Sequence, residues 1–520
     1  MVETRDQLLN EDDGAPERRA SSLDITPEEL SALASGADEL VREYFARVAG
    51  MPVFPAASAA EIAAWLPVEL PAEPESLDAL LEDCRRVMQH SRHNGHPRFF
   101  GYIASPATPV GAYADLIASA LNQNVTAWRS APAATQIEKT VVRWLASLMG
   151  YAEGAGGLLT SGGSAANLNA LYVAHRVKAA EALGAGHVAL KGLCAAPQPF
   201  TLYVSAEAHL SLAKAADVLG LGREQVRVVE TDARLRMDVR LLRERIESDL
   251  RDGYRPFCVA ASAGTVGTGA VDPLKEIASV AREFGLWFHA DGAYGAPAAL
   301  DQSKRALFAG IEMADSVTLD PHKWLYTPVD CGCLLLRESH RARAAWASDE
   351  AGYIKVFEQS DDEQFAFWDY GIELSRRFRA LKIWLLLRYY GARRVAEAVS
   401  EDNRLAAYMA ELVRAADDFE LLAPVELSIC CFRYAPPAAR EALAAAATEE
   451  ERARLEAELD DLNARVAHAV QRGGRAYLSS AIVRGRFALR ACVVNFRTTR
   501  RDVALTLDVV RDAARAARTG

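Results

Sequence analysis

The chain has 520 residues, half of them hydrophobic and a quarter charged. That is the balance of an ordinary soluble globular protein, long enough for two or three packed domains. A net charge of −11 without a basic run argues against a general nucleic-acid binder. No apolar stretch nears the roughly 20 residues of a membrane helix, and the opening MVETRDQLLNEDDGAPERR has no apolar core, so neither a span nor a secretory signal is expected.

Residues 1–22 are polar and charged and are expected to be disordered. A helix should follow, with Thr26 as cap, Pro27 at the first helical position and Glu29 closing a capping box. The pattern runs to Gly50; a Pro/Ala-rich link then leads to a second amphipathic segment, LDALLEDCRRVMQHS. Residues 23–110 read as an N-terminal helical arm. Beyond it, short apolar runs alternate with helical stretches: FTLYVS, QVRVVE, FCVAAS, LWFHAD, DSVTLD and CGCLLL. Such alternation predicts an α/β layer with a largely parallel sheet, here the core of a large domain over residues 111–390. Residues 391–520 read as a small α+β domain, with strands at CCFRY and FALRACVVNF and a long helix over 441–470 whose charges face solvent. The eight cysteines include no C-x-x-C pair and read as buried thiols of a reducing cytoplasm; no metal site is expected.

The strongest chemical signal is Ser316-Val-Thr-Leu-Asp-Pro-His-Lys-Trp-Leu325. Lys323 comes directly after a buried strand, at the end where open α/β sheets place ligands. Desolvation favours its amine form, which suits imine formation. A lone lysine there is more often a surface residue, but His322 and Trp324 on either side argue for burial. Asp291 ends the strand LWFHAD beside Gly292 and Ala293. A carboxylate there, with room for a flat ring, can hold a pyridinium nitrogen protonated; alone it could equally cap a helix. The run Gly156–Asn167 reads as a small-residue turn opening into a helix, a place for phosphate, although Gly/Ser turns are common. His209 follows FTLYVS and Thr265 follows FCVAAS. Singly, either is more often structural. Together, Ser164, His209, Thr265, Asp291 and Lys323 each follow a strand or open a helix, in that order.

With these motifs the chain resembles the group II pyridoxal-phosphate-dependent amino-acid decarboxylases, and most of all their aromatic-L-amino-acid branch. The likeness runs from HPRFFGYI (96–103) through RRFRALKIW (376–384) to LRACVVNFRTT. It implies an aspartate-aminotransferase-type (fold type I) large domain with a mostly parallel seven-stranded sheet. It also implies pyridoxal 5'-phosphate as cofactor, an amino acid as substrate, and a homodimer with active sites at the interface. By motif, Lys323 would hold the cofactor covalently, Asp291 would pair with its ring nitrogen, Ala293 would lie under the ring and His209 over it. Gly163, Ser164 and Thr265 match the anchoring positions, and His322 lies beside the lysine. Tyr353, counted back from RRFR, matches the loop tyrosine that returns a proton to the substrate's α-carbon.

The positions matching the side-chain pocket are Asn94, Ile103, Ser105, Asn124, Thr126 and Ser375. Several are more polar than the bulky aromatics of the aromatic branch. Ser375 matches a position where serine accompanies phenolic substrates in plant relatives. Asp320 stands where an asparagine is common, and a carboxylate is a poor phosphate contact, so that role is not transferred to it. The expectation is a decarboxylase of a tyrosine- or dopa-like amino acid. The alternatives are an oxygen-dependent aldehyde synthase on the same scaffold, or a decarboxylase of a non-aromatic amino acid.

Overall fold

The computed structural model describes residues 23–184, 186–347, 360 and 362–519. The expectations for residues 1–22 and for Tyr353 lie outside the described residues.

Residues 23–48 and 57–91 form one unit. Its first helix, α1 (Pro27–Arg47), begins with the expected capping box: the Glu29 N–H donates to Thr26 Oγ1 at 3.2 Å and the Thr26 N–H to Glu29 Oε2 at 2.7 Å. A short helix, α2 (Ala59–Ala63), interrupts the Pro/Ala-rich link, again behind a capping box, of Ser58 and Glu61. The third, α3 (Leu77–Gln89), packs its Leu81 onto Gly36 so closely that a Cβ at Gly36 would lie 2.4 Å from Leu81 Cδ1.

The second unit comprises residues 49–56 and 92–519. In chain order it begins with strand β1 (Phe99–Phe100) and helices α4 (Pro109–Leu121) and α5 (Pro132–Leu148). Strand β2 (Gly156–Thr160) and helix α6 (Gly163–Leu183) follow. The layer continues through β3 (Phe200–Ser205), β4 (Val226–Val229), β5 (Arg255–Ser262), β6 (Trp287–Asp291), β7 (Ser316–Leu319) and β8 (Gly332–Leu336). These pair in the order β2-β8-β7-β6-β5-β3-β4, all in one direction except β8, which is antiparallel to both neighbours. The central strands are buried on both faces, as their unbroken apolar runs require.

Strand β2 departs from the expected turn. Its glycines read as a turn in sequence, yet Gly157 is what admits the pairing: at φ +152° a Cβ would meet the Leu334 carbonyl oxygen at 1.9 Å.

The chain then enters a helix over Ala380–Ala415 that breaks at Gly391, where φ is +76°. A second sheet follows, of β9 (Phe419–Leu421), β10 (Ile429–Tyr434), β11 (Tyr477–Val483) and β12 (Arg486–Cys492), in the order β1-β11-β12-β10-β9. The helix expected over 441–470 is two, Pro437–Ala445 and Glu449–Arg472. Thr448 starts the second by accepting the Glu451 N–H at 3.1 Å, and three glutamates in the first turn complement the helix dipole. Among the described residues no helix is long and apolar enough to cross a membrane.

Candidate active site

The site lies at the C-terminal ends of β3, β5, β6 and β7, where the α6 N-terminus also arrives. Asp291 is the last residue of β6 and is buried. Its Oδ1 accepts the Ala293 N–H at 3.1 Å, and its Oδ2 accepts Asn167 Nδ2 at 2.9 Å. Each carboxylate oxygen therefore keeps a free lone pair.

Lys323 belongs to the turn of helix that follows β7. Its Nζ lies 2.9 Å from Asp320 Oδ2, and Asp320 is 1% exposed with no hydrogen-bond partner for Oδ1 among the described residues. The next residue, Trp324, is fully buried, and its Nε1 donates to Asp402 at 2.9 Å. Tyr326 donates to the same carboxylate oxygen at 2.7 Å, so the segment after Lys323 is pinned at two points. Burial lifts the Asp402 carboxyl to about 7, against the pull of these donors.

His322 Nδ1 accepts the Cys331 N–H at 3.0 Å, and its carbonyl accepts the Ser105 hydroxyl at 3.2 Å. Burial lowers the pKa of this imidazole, and that of His209, where the Asp291 carboxylate opposes the shift. Both rings are thus held neutral near pH 7. His209 Nδ1 lies 2.7 Å from Ser211 Oγ. Thr265 is buried and engaged in its own turn, where it accepts the Ala270 N–H at 3.1 Å. Ser164 is exposed in the first turn of α6.

The pocket residues fall into two groups. Ser105 stands beside His322, with half-buried Ile103 and Asn94 in the same segment; Asn94 accepts Arg92 Nε at 3.0 Å. Asn124, Thr126 and Ser375 belong to a strap elsewhere. Asn124 Oδ1 accepts the Arg376 N–H at 2.8 Å, the Thr126 carbonyl accepts the Phe367 N–H at 2.8 Å, and Thr126 Oγ1 is buried without a partner among the described residues. The strap is held by a buried pair, Arg376 with Glu138, whose side chains are 1% and 0% exposed. Arg376 also donates to the carbonyls of Val125 at 2.7 Å and Leu159 at 2.8 Å, while Glu138 accepts the Leu159 N–H at 2.9 Å.

Three residues here were not singled out by the sequence. Asn167 and Glu138 sit on helices among other polar residues, and nothing in their spacing points to partners as far as 151 and 238 positions away. Arg490 is 4% exposed and donates to Gly267 O, Tyr102 O and Ser479 Oγ at 3.0–3.1 Å. Its Nη2 has no acceptor among the described residues.

These residues fit a phosphorylated pyridine aldehyde. Asp291 offers open lone pairs for a ring N–H, with small residues beside it. Lys323 offers a primary amine. At the start of α6 the backbone is crowded enough that a Cβ on Gly163 would lie 3.0 Å from Ala293 Cβ and 2.8 Å from Asp320 Oδ2. Glycine lets the start of α6 lie close against Ala293 and Asp320.

Residues 60–435 match the model of the pyridoxal-dependent decarboxylase conserved domain. The chain is 35% identical to the aromatic-L-amino-acid decarboxylase of Bacillus atrophaeus, over 92% of this chain and 94% of that protein. It is 34% identical to cysteine sulfinic acid decarboxylase of Mus musculus, over 73% and 76% of the two chains. The crystal structure of Oryza sativa TDC with PLP and tryptamine superposes with a TM-score of 0.85 at 28% identity, covering 95% of this chain and 99% of that one. Sheet, site and kinship agree: the chain belongs to the pyridoxal-dependent decarboxylases, fold type I enzymes that use pyridoxal 5'-phosphate to decarboxylate amino acids.

Proposed function

We propose that this enzyme converts an aromatic L-amino acid, of the phenolic or catecholic kind, to the amine and carbon dioxide. The observation that carries the aromatic reading is the 35% identity, over 92% of the chain, to an aromatic-L-amino-acid decarboxylase. When bound, pyridoxal 5'-phosphate supplies a ring that accepts the electron pair left on the α-carbon as carbon dioxide departs.

The protein's own residues do the rest. Lys323 is the amine that holds the cofactor. Asp291 keeps the proton on the ring nitrogen, and Ala293, His322, Gly163, Ser164 and Thr265 shape and anchor its bed. His209 would lie over the ring as a neutral imidazole. The open Nη2 of Arg490 is a donor for a substrate carboxylate. Tyr353 returns a proton to the α-carbon, and excluding oxygen at that moment keeps the product an amine.

A second reading has its own support. Asn94, Asn124 and Thr126 are polar, and the kinship to a cysteine sulfinic acid decarboxylase admits a small acidic substrate. Carbon dioxide release should be measured with tyrosine, dopa, tryptophan, 5-hydroxytryptophan, cysteine sulfinic acid, aspartate and glutamate. The highest kcat/KM should fall on tyrosine or dopa; a maximum on an acidic substrate sinks the aromatic reading. In the same assay Tyr353→Phe should divert product from amine to aldehyde, consuming oxygen and releasing peroxide and ammonia. Amine at the wild-type rate would remove Tyr353 as donor, and aldehyde from the wild type would make the enzyme an aldehyde synthase.

The enzyme works as a homodimer in this reading. Its support is a run of large apolar side chains left exposed on α4 and near the strap: Leu116, Ile117, Leu121, Ile372 and Leu374. Sedimentation equilibrium should return twice the chain mass, and an active monomer would contradict it. Free buried thiols at Cys258, Cys331, Cys333, Cys430, Cys431 and Cys492 support a reducing, cytoplasmic setting.

A further inference from the structure

Side chains alternate along a strand, so Trp287, His289 and Asp291 line one face of β6. Ser316 and Thr318 of β7 stand in register beside His289 and Asp291. Asn167 of α6 meets all of these but Trp287 and Ser316, and it is 1% exposed.

The proton positions in this cluster follow from its two ends. Trp287 Nε1 can only donate, and the Asp291 carboxylate accepts. The Asp291 carboxylate turns Asn167 Oδ1 toward His289 Nε2, so Nδ1 accepts the Ser316 hydroxyl at 2.8 Å, and Ser316 Oγ accepts Trp287 Nε1–H at 2.9 Å. The His289 proton is then on Nε2, which donates to Asn167 Oδ1 at 3.1 Å. Thr318 donates to the same oxygen at 2.7 Å. The amide Nδ2 donates to Asp291 Oδ2 and Ser211 Oγ, each at 2.9 Å. His209 Nδ1 accepts the Ser211 N–H at 3.2 Å and so carries no proton, and the Ser211 hydroxyl donates to it at 2.7 Å. Neutral His209 must carry its proton on Nε2. Burial agrees with this scheme by pushing His289 down to about 4, so that ring is neutral as well.

We propose that Asn167 is a positioning residue that sets two groups at once: the carboxylate orientation of Asp291 and, through the Ser211 hydroxyl, the orientation of the His209 ring. The amide is the only side chain joined to both branches among the described residues. Its orientation is enforced by the Asp291 carboxylate, which can only accept, while His289 and Thr318 donate to its oxygen. Asp291 therefore meets the cofactor from a fixed angle, and His209 faces the site as a hydrogen-bond donor, not as a base. This inference rests on the decarboxylase reading for the identity of the ring that Asp291 meets.

Asn167→Asp keeps the shape and replaces the amide donor. Apo protein titrated with pyridoxal 5'-phosphate should bind it weaker by on the order of tenfold, the size of one charge-assisted hydrogen bond. The pH titration of the visible absorbance band should also move, while far-UV circular dichroism stays as in wild type. Ser211→Ala cuts only the His209 branch. It should leave cofactor affinity near wild type and lower kcat more than it changes KM, with Ser211→Thr restoring kcat. Unchanged affinity and an unchanged band titration in a folded Asn167→Asp overturn the proposal. If that variant does not fold, Ser211→Ala decides: wild-type kcat, or a loss that threonine does not restore, overturns it equally. Wild-type protein that binds no pyridoxal 5'-phosphate would instead overturn the decarboxylase reading itself.

Discussion

Asp291→Asn should lower turnover by on the order of 10²-fold or more, because removing an electrostatic stabiliser of this kind costs about 3 kcal/mol of barrier. Two losses combine. The charge that holds a proton on the cofactor's ring nitrogen disappears. The local hydrogen bonds also fail to close: Asp291 accepts from Asn167 through one oxygen and from the Ala293 N–H through the other. Asparagine has one oxygen for these two donors, so one of them faces an NH2 group. The check is kcat/KM at saturating cofactor, with borohydride reduction as a parallel readout. Borohydride should still fix cofactor to the peptide containing Lys323, since the amine is untouched. Turnover near wild type would remove the electron-sink role of Asp291, and label on another lysine would remove Lys323 from the reading.

The largest effect on stability is expected from Glu138→Ala. Glu138 and Arg376 are both sealed from solvent, and the guanidinium lies 4.0 Å from the centre of the Phe367 ring. Deleting the carboxylate leaves a buried cation without its counter-ion, a loss of about 3–5 kcal/mol. It also strips the Leu159 N–H of strand β2 of its acceptor. Glu138→Gln returns that acceptor but not the charge, and should recover part of the loss. Urea unfolding of the holoenzyme gives the comparison. A midpoint for Glu138→Ala within error of wild type would show that the pair is not a keystone of the strap.

Much of the sheet could be read from the chain because its strands announce themselves by unbroken apolar runs, and FCVAAS, LWFHAD and DSVTLD stand where they were expected. The strand that hid was β2, whose two glycines imitate a turn; its need for a missing Cβ appears only when β8 is laid beside it. The same division runs through the site. Asp291 and Lys323 are legible because each ends an apolar run with a reactive group. His289 was legible in principle, as a polar residue two before Asp291 in a strand otherwise apolar. Asn167 was not, because a single asparagine on a helix looks the same whether it faces water or a carboxylate 124 positions away. Arg490 likewise reads as one more arginine in a strand until its burial and its bonds to Gly267, Tyr102 and Ser479 are seen.

The pair between Glu138 and Arg376 also sets an order of events during synthesis. The two residues are 238 positions apart in the chain. At translation rates of about 5–20 residues per second, Glu138 leaves the ribosome roughly 10–50 seconds before its counter-ion. During that interval burying the carboxylate is costly, so α5 and the β2 edge should not close fully. Strand β8, the neighbour of β2, arrives only shortly before Arg376 does. A nascent chain that stops short of Arg376 is therefore not a smaller version of the enzyme but an unsealed sheet with an exposed apolar edge. Closure of the large layer should therefore wait for a segment near its end.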